Sequence, residues 1–194
     1  MARPSVADER TRQIIEATIR TIGTHGITGT TMDRIAEEAG MSRGHVRHFV
    51  GNRDDLLRET ARYFYFGGTD GASILPAGTE TLEDALAYLF GPEFTAPGAD
   101  NAVVFGLVEV SRSNPAIAEL LAAAYTGTEA AIARMLAAEH PHLSPETCRR
   151  TAYGIVAIAL HNVFMSDIKS SAADTDAARG AAEQLLASLP SGSE

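Results

Sequence analysis

Apolar residues recur along this chain with the period of a helix, and no stretch alternates with the period of two that a half-buried strand requires. Ile14, Ile15, Thr18, Ile19 and Ile22 line one side of a segment from about Ala7 to Thr24, which His25-Gly26 ends. Met32, Ile35, Ala36 and Ala39 do the same for a short second helix. Thr31 or Thr30 caps its start, and Gly40 closes it, because glycine enters the left-handed conformation without steric cost. Ser42 caps a third helix with Val46, Phe49 and Val50 inward, and Gly51 breaks it. Asn52, with Asp55 three residues on, approximates a capping box for a fourth, which runs to about Phe66 with Leu56, Leu57, Thr60 and Phe64 toward the core.

The second part of the chain reads the same way. Residues 67–79, GGTDGASILPAGT, hold four glycines and a proline and predict a loop. A helix over 81–90 is stopped by Gly91-Pro92, and PEFTAPGA reads as a second loop. From Asp100 to Arg112 the residues Ala102, Val103, Phe105, Gly106, Val108 and Val110 are apolar almost all round, which predicts a buried helix. Glu109 interrupts that run, either facing a cavity or, as is commoner for a charge, pointing to solvent or pairing with Arg112. Asn114-Pro115 opens the next helix, with proline at the favoured first position, and Ile117, Leu121, Ala124, Tyr125, Ile132 and Leu136 hold one face to about His140. Ser144-Pro145 opens another, to about Lys169, apolar on every side from Ile155 through Leu160. Such a helix needs cover on two faces, one from its own chain and one from a partner. The last helix, 174–189, carries Ala178, Ala181 and Ala182 and then Leu185, Leu186 and Leu189 as a narrow stripe. Two copies of these last two helices would make an isologous four-helix bundle. The fold expected is all-α, with about nine helices, a flexible arm over 1–8 that includes Arg3, and a disordered tail over 188–194.

Chemistry concentrates on the third helix. With Val46, Phe49 and Val50 inward, Arg43, Gly44, His45, Arg47 and His48 face out, and no carboxylate lies between Ala39 and Arg53. This is the layout of a helix-turn-helix that presents its second helix to a DNA major groove. Two short helices around a glycine also occur in proteins that never touch DNA, but a merely solvated face usually mixes signs. The formal charge of −9 argues the other way until it is divided along the chain. Residues 1–62 carry ten Arg and nine Asp/Glu, whereas 63–194 carry six Lys/Arg and sixteen Asp/Glu. An arginine-rich head on an acidic body suits DNA contact at one end.

The order of residues from about Arg10 to Arg62 resembles the tetracycline-repressor (TetR) family of transcriptional regulators. The resemblance lies in the Gly26 turn, TTMDRIAEEAG, the Ser-Arg-Gly opening of the third helix, and Asn52-Arg53-Asp54-Asp55-Leu56-Leu57. The chain departs from it at His45-Val46-Arg47, where the family often has Thr-Leu-Tyr, and at Phe49-Val50, where it often has Tyr-Phe. Those lost hydroxyls remove phosphate contacts, and Arg47 either replaces one or reads a guanine edge. The expected DNA-contacting set is Thr31, Ser42, Arg43, Gly44, His45, Arg47, His48, Asn52 and Arg53, with the phosphate contact of Arg53 implied by the resemblance. The resemblance also implies a dimer and an inducer pocket within the helices that follow the head. Candidates for that pocket are Tyr63, Phe66, Tyr88, Phe105, Glu109, Tyr125, His161, Asn162 and Met165. His161 and Asn162 interrupt an apolar face, so they serve either the pocket or the dimer seam. The expected domains are 1–52 for DNA binding and 53–194 for ligand binding and dimerisation.

Other chemistries find little support. Glu139-His140-Pro141-His142 has metal-ligand residue types, but the proline prevents a helical histidine pair, and no metal or cofactor is expected. There is no phosphate-cradling glycine loop, no G-x-S-x-G and no H-E-x-x-H. His161, Glu109 and Tyr125 could serve as an acid–base set, but their spacing does not bring them together, so an enzyme is the weaker alternative. Cys148 is the single cysteine, and an unreactive packed thiol is favoured over a redox sensor. No apolar run spans a membrane and the first residues lack a secretory core, so a cytoplasmic location is expected. The function expected is a dimeric regulator, most simply a repressor, that binds a palindromic DNA operator and answers to an apolar or amphipathic small molecule. The other alternative is a helical interaction or small-molecule-binding protein with a degenerate head.

Overall fold

The structure is a computed structural model that describes residues 5–67, 71, 73–96, 99–168 and 174–190. Among these residues every regular element is a helix. In chain order they are α1 (Val6–Gly29), α2 (Met32–Glu38), α3 (Arg43–Val50), α4 (Arg53–Phe66), α5 (Leu82–Leu89), α6 (Pro92–Thr95), α7 (Ala99–Ser111), α8 (Pro115–Glu139), α9 (Pro145–Asp167) and α10 (Thr175–Ala187). They form two compact units that do not follow chain order. The first holds Met1–Gly71 and Gly98–Ala122, and the second holds Ala72–Pro97 and Ala123–Glu194.

In the first unit α1 to α4 close around Ile14, Ile15, Ile35, Ala36, Val46, Val50 and Leu56. Burial of each large side chain in that set contributes about 1.5–3 kcal/mol. The turns follow from glycine. Gly26 breaks α1 with φ 66° and ψ 172°, leaving a separate final turn. Gly40 has φ 66°, and the amide of Met41 closes α2 onto the Ala36 carbonyl at 2.9 Å. Gln13 Nε2 donates to the Ala39 carbonyl at 3.0 Å and so ties α1 to the end of α2. The start of α1 differs from the expected flexible arm. Ser5 and Asp8 form a full capping box, so the helix begins at Val6, and the Ser5 bonds hold the Asp8 carboxyl below its ordinary range. Arg3 lies outside the described residues.

The same unit contains α7, which packs along α1. A Cβ on Gly106 would lie 2.9 Å from Ile27 Cβ, so glycine permits the close approach. Val103, Gly106 and Leu107 are buried, but Val108 is 44% exposed and Glu109 is exposed. The expectation of a helix buried all round is therefore met on one face only. Apolar composition states what a helix can bury; the elements packed against it decide what it does bury.

The second unit has its own core. Leu82, Leu86 and Leu89 of α5 meet Ile132 and Leu136 of α8 and Ala152, Ile155 and Ala159 of α9. Cys148 is buried in this core, as a packed thiol should be. Thr128 on α8 accepts the Ile74 amide at 2.9 Å, which anchors the described part of the glycine-rich connection. PEFTAPGA is not wholly a loop, since Pro92–Thr95 makes one helical turn, with proline at its start and Thr95 Oγ1 donating to the Gly91 carbonyl at 2.9 Å. Against α9, α10 buries Ala182, and Gly154 admits Leu185 so closely that an added Cβ would meet its Cδ2 at 2.7 Å. Arg179 of α10 bridges Glu83 of α5 and Glu183, each at 2.8 Å, and the two carboxylates raise its pKa. Large apolar side chains stay exposed along α9 and at its C-cap: Tyr153, Phe164 and Ile168 are 63%, 46% and 55% exposed. Lys169, the expected end of the next-to-last helix, and residues 191–194 of the expected tail lie outside the described residues.

Candidate nucleic-acid interface

The head exposes one short helix. Ser42 caps α3 by accepting the His45 amide at 3.2 Å, which fixes where the helix starts and which residues turn outward. Val46 and Val50 are buried, and Arg43, Gly44, His45, Arg47 and His48 are exposed, as their spacing predicts. Phe49 is half-buried between the two imidazoles, with ring centroids 5.3 Å from His45 and 5.3 Å from His48. Its ring therefore orients both histidines at the surface rather than only filling the core.

A groove of about 420 Å³ runs beside this helix, lined by Thr28, Thr30, Thr31, Met32, Asp33, Arg43, Arg47, Asn52 and Arg53. Five of the expected contact residues meet there. Spacing along the chain does not reveal the roles of Asp33, Met32 and Thr28. Asp33 accepts from Arg43 Nη1 at 3.1 and 3.3 Å across the turn. Both partners are more than half exposed, so the pair is weak and a phosphate can displace the carboxylate. Arg47 is exposed and extends from the same helix. No carboxylate stands within α3, so donors dominate its outer face.

The caps are already partly used within the chain. Thr31 accepts the Arg34 amide at 3.3 Å, while Thr30, the alternative cap, instead donates to the Gly26 carbonyl at 2.7 Å. Asn52 Oδ1 accepts the amides of Asp54 and Asp55 at 2.8 and 3.0 Å. The hydroxyls of Thr31 and Ser42 keep a proton to donate, since both serve as acceptors in their caps. Arg53 has a different place from the one the resemblance implies. Its Nε donates to the Thr30 carbonyl at 3.0 Å and its Nη2 to the Ile27 carbonyl at 2.8 Å. It is half-buried and fastens α4 to the chain entering α2, with only part of its fork left to face the groove.

The expected ligand residues fall in both units. Tyr63, Phe66, Phe105 and Glu109 belong to the first, and Tyr88, Tyr125, His161, Asn162 and Met165 to the second. Tyr63 packs on the head core, and its hydroxyl donates to Glu16 at 3.4 Å. Glu109 is exposed, which is the solvated alternative. Tyr88 meets Phe94 in a tilted ring contact, centroids 5.4 Å apart, and both pack against the second core. Asn162 is buried and donates to Thr175 of α10 at 3.0 Å, an intrachain use that was not among its expected roles. His161, Asn162 and Met165 border an open groove of about 430 Å³ between α9 and α10, beside Ala157, Ala177 and Ala181. Glu139 accepts the Leu82 amide, His142 bonds the Pro190 carbonyl, and no cluster of metal-ligating side chains occurs among the described residues.

Residues 14–60 match the family of bacterial regulatory proteins, tetR family. Over 63 residues the chain is 38% identical to the HTH-type transcriptional regulator BetI of Burkholderia thailandensis, a match covering 32% of each chain. The chain thus spans about a third of the length of such curated relatives. In fold it is similar to a member of the TetR family from Streptomyces coelicolor A3, with a TM-score of 0.69, 21% identity and coverage of 94% of this chain and 99% of that one. It is also similar to the multidrug binding protein EbrR complexed with proflavin, with a TM-score of 0.56, 21% identity and coverage of 91% and 99%.

Proposed function

We propose, from the match of residues 14–60 to the tetR family of bacterial regulatory proteins, that the protein is a ligand-responsive transcriptional repressor that binds a palindromic operator as a homodimer. The observation that carries this reading is the carboxylate-free outer face of α3, with Arg43, His45, Arg47 and His48 exposed beside a groove lined by further donors. Arg47 is the base reader in this proposal, and Arg43, Ser42, Thr31 and the Asn52 amide hold phosphates. Arg53 supports them chiefly by holding the end of α1 and the start of α4 together.

A single head covers too little DNA to be specific. Two heads related by a two-fold axis read half-sites about one helical turn or more apart. The open face of α9, with α10 beside it, is the dimer surface we propose. Residues 1–52 would then contact DNA, and 53–194 would bind the effector and the partner chain. The effector is an apolar or amphipathic small molecule, a class to which the proflavin bound by EbrR belongs. It acts by binding the DNA-incompetent arrangement more tightly. A shift from 1:99 to 99:1 requires roughly a 10⁴-fold preference. The protein acts without catalysis or cofactor, in the cytoplasm. Among the described residues no helix is long and apolar enough to cross a membrane.

Titration of duplex DNA over a range of salt concentrations tests the central part. The expected result is an affinity whose logarithm falls linearly with the logarithm of salt, by roughly 0.9 for each phosphate neutralised. An acidic chain that shows no binding even at low salt would lose this reading.

A further inference from the structure

Three arginines line the groove beside α3, and each is held differently. Arg53 spends two of its nitrogens on neutral backbone carbonyls. Arg47 makes no ion pair among the described residues. Arg43 alone of the three is paired with a carboxylate, its Nη1 donating to both oxygens of Asp33 at 3.1 and 3.3 Å. Asp33 is also the only acidic side chain among those that line the groove. It is the second residue of α2, where a negative charge suits the exposed amides of a helix start, and Arg43 is the first residue of α3. The pair therefore spans the turn between the two helices of the head. The other ion pairs of the head, Arg12–Glu16, Arg20–Glu38 and those of Arg58 with Asp55 and Glu59, involve no residue of the groove. An acid placed in an otherwise basic groove, on its first arginine, stands where a DNA phosphate would stand.

We propose that Asp33 is a positioning residue for DNA binding: it holds Arg43 in place of a phosphate, so that docking exchanges one anion for another. This rests on the reading of α3 as the DNA-contacting helix. The exchange has an ionic balance that can be counted. An unpaired arginine that meets a phosphate releases the counterion condensed there. Arg43 releases the same counterion, but the carboxylate it leaves stands in the negative potential of the DNA and takes up a cation. Release and uptake nearly cancel, so this arginine adds little to affinity or to its salt dependence. Binding to non-cognate DNA comes almost wholly from phosphate contacts, and it is lowered accordingly. Arg47, which has no such competitor, supplies a larger share of what remains.

Titration of the full-length protein with a pool of random-sequence duplex DNA, at about 50 and about 200 mM salt, tests the assignment. Asp33→Asn keeps the side-chain shape and removes the charge. It should bind more tightly than wild type at the lower salt, and its slope of log affinity against log salt should be steeper by about 0.9. Its advantage should thus shrink about 3.5-fold over that roughly fourfold rise in salt. Asp33→Glu keeps a carboxylate within reach of Arg43 and should follow wild type. In an Arg43→Gln background, Asp33→Asn should no longer steepen the slope. A steepening that persists without Arg43 would mean that Asp33 repels DNA in general. Equal slopes for wild type and Asp33→Asn would mean that the pair only ties α2 to α3. Either result overturns the proposal while leaving DNA binding in place. Failure of wild type and Asp33→Asn alike to bind at the lower salt would instead overturn the DNA-binding reading, and the proposal with it.

Discussion

Gly44 sits inside α3, where glycine costs about 1 kcal/mol against alanine, yet a Cβ there would meet nothing of this chain within 4 Å. Nothing in the fold requires it, which points to close approach by something outside. Gly44→Ala is expected to stabilise the fold by about 1 kcal/mol in a denaturant titration and to weaken DNA binding. Arg47→Ala should cost about 1–3 kcal/mol of operator affinity and relax the preference at one base pair; unchanged affinity and preference would remove Arg47 from the contacts. Arg53→Ala should behave differently, lowering stability by about 1–3 kcal/mol, because it leaves two backbone carbonyls without charged donors. The outward set on α3 was legible in the sequence because a helix fixes which side chains share a face. The anchoring of Arg53 to Thr30 and Ile27 was not, since those bonds span 23 and 26 residues and depend on how the turn at Gly26 brings the chain back.

The helices were legible as elements because caps and breakers surround them. Ser42, Asn52, Ser144 and Asp174 all cap as their residue types suggest. Contacts between elements were less so. The close passage of α7 over α1 at Gly106 leaves no trace in periodicity, because a missing side chain gives no pattern. Gly106→Ala is expected to destabilise by about 1–3 kcal/mol, since the added carbon meets the branched Cβ of Ile27, which cannot swing aside. Gly154→Ala should cost less, because it meets only the tip of Leu185. Melting curves of the two variants check the order. Thr81 caps α5 and holds the Asp84 carboxyl below its ordinary range. A depressed carboxylate pKa adds stability above the unfolded value, and that stability is lost as pH falls through the folded value. Asp84→Asn should therefore flatten the acid limb of the stability curve below about pH 4.

At the scale of the whole molecule, residues 98–122 group with Met1–Gly71 in one compact unit. Sequence order could not show this, because residues 72–97 of the second unit separate the two parts of the first. The apolar run of α9 predicts a partner, and Tyr153, Phe164 and Ile168 are exposed at 63%, 46% and 55%, which supports the proposed dimer surface. Ala157, also exposed, lies between them. Ala157→Glu should convert a dimer into a monomer in sedimentation at micromolar concentration while leaving the helical content unchanged. A dimer that survives this change would place the interface elsewhere.

The measurement that bears most directly on the regulator reading is selection from randomised duplex DNA with the full-length protein, sequenced after several rounds at two salt concentrations. The expected result is one short palindrome whose half-sites lie about one helical turn or more apart, recovered at both salts and lost with Arg47→Ala. Recovery of no sequence above background, from protein shown to be folded and dimeric, would contradict it and mark His45, Arg47 and Phe49 as the surface of a head that no longer reads DNA.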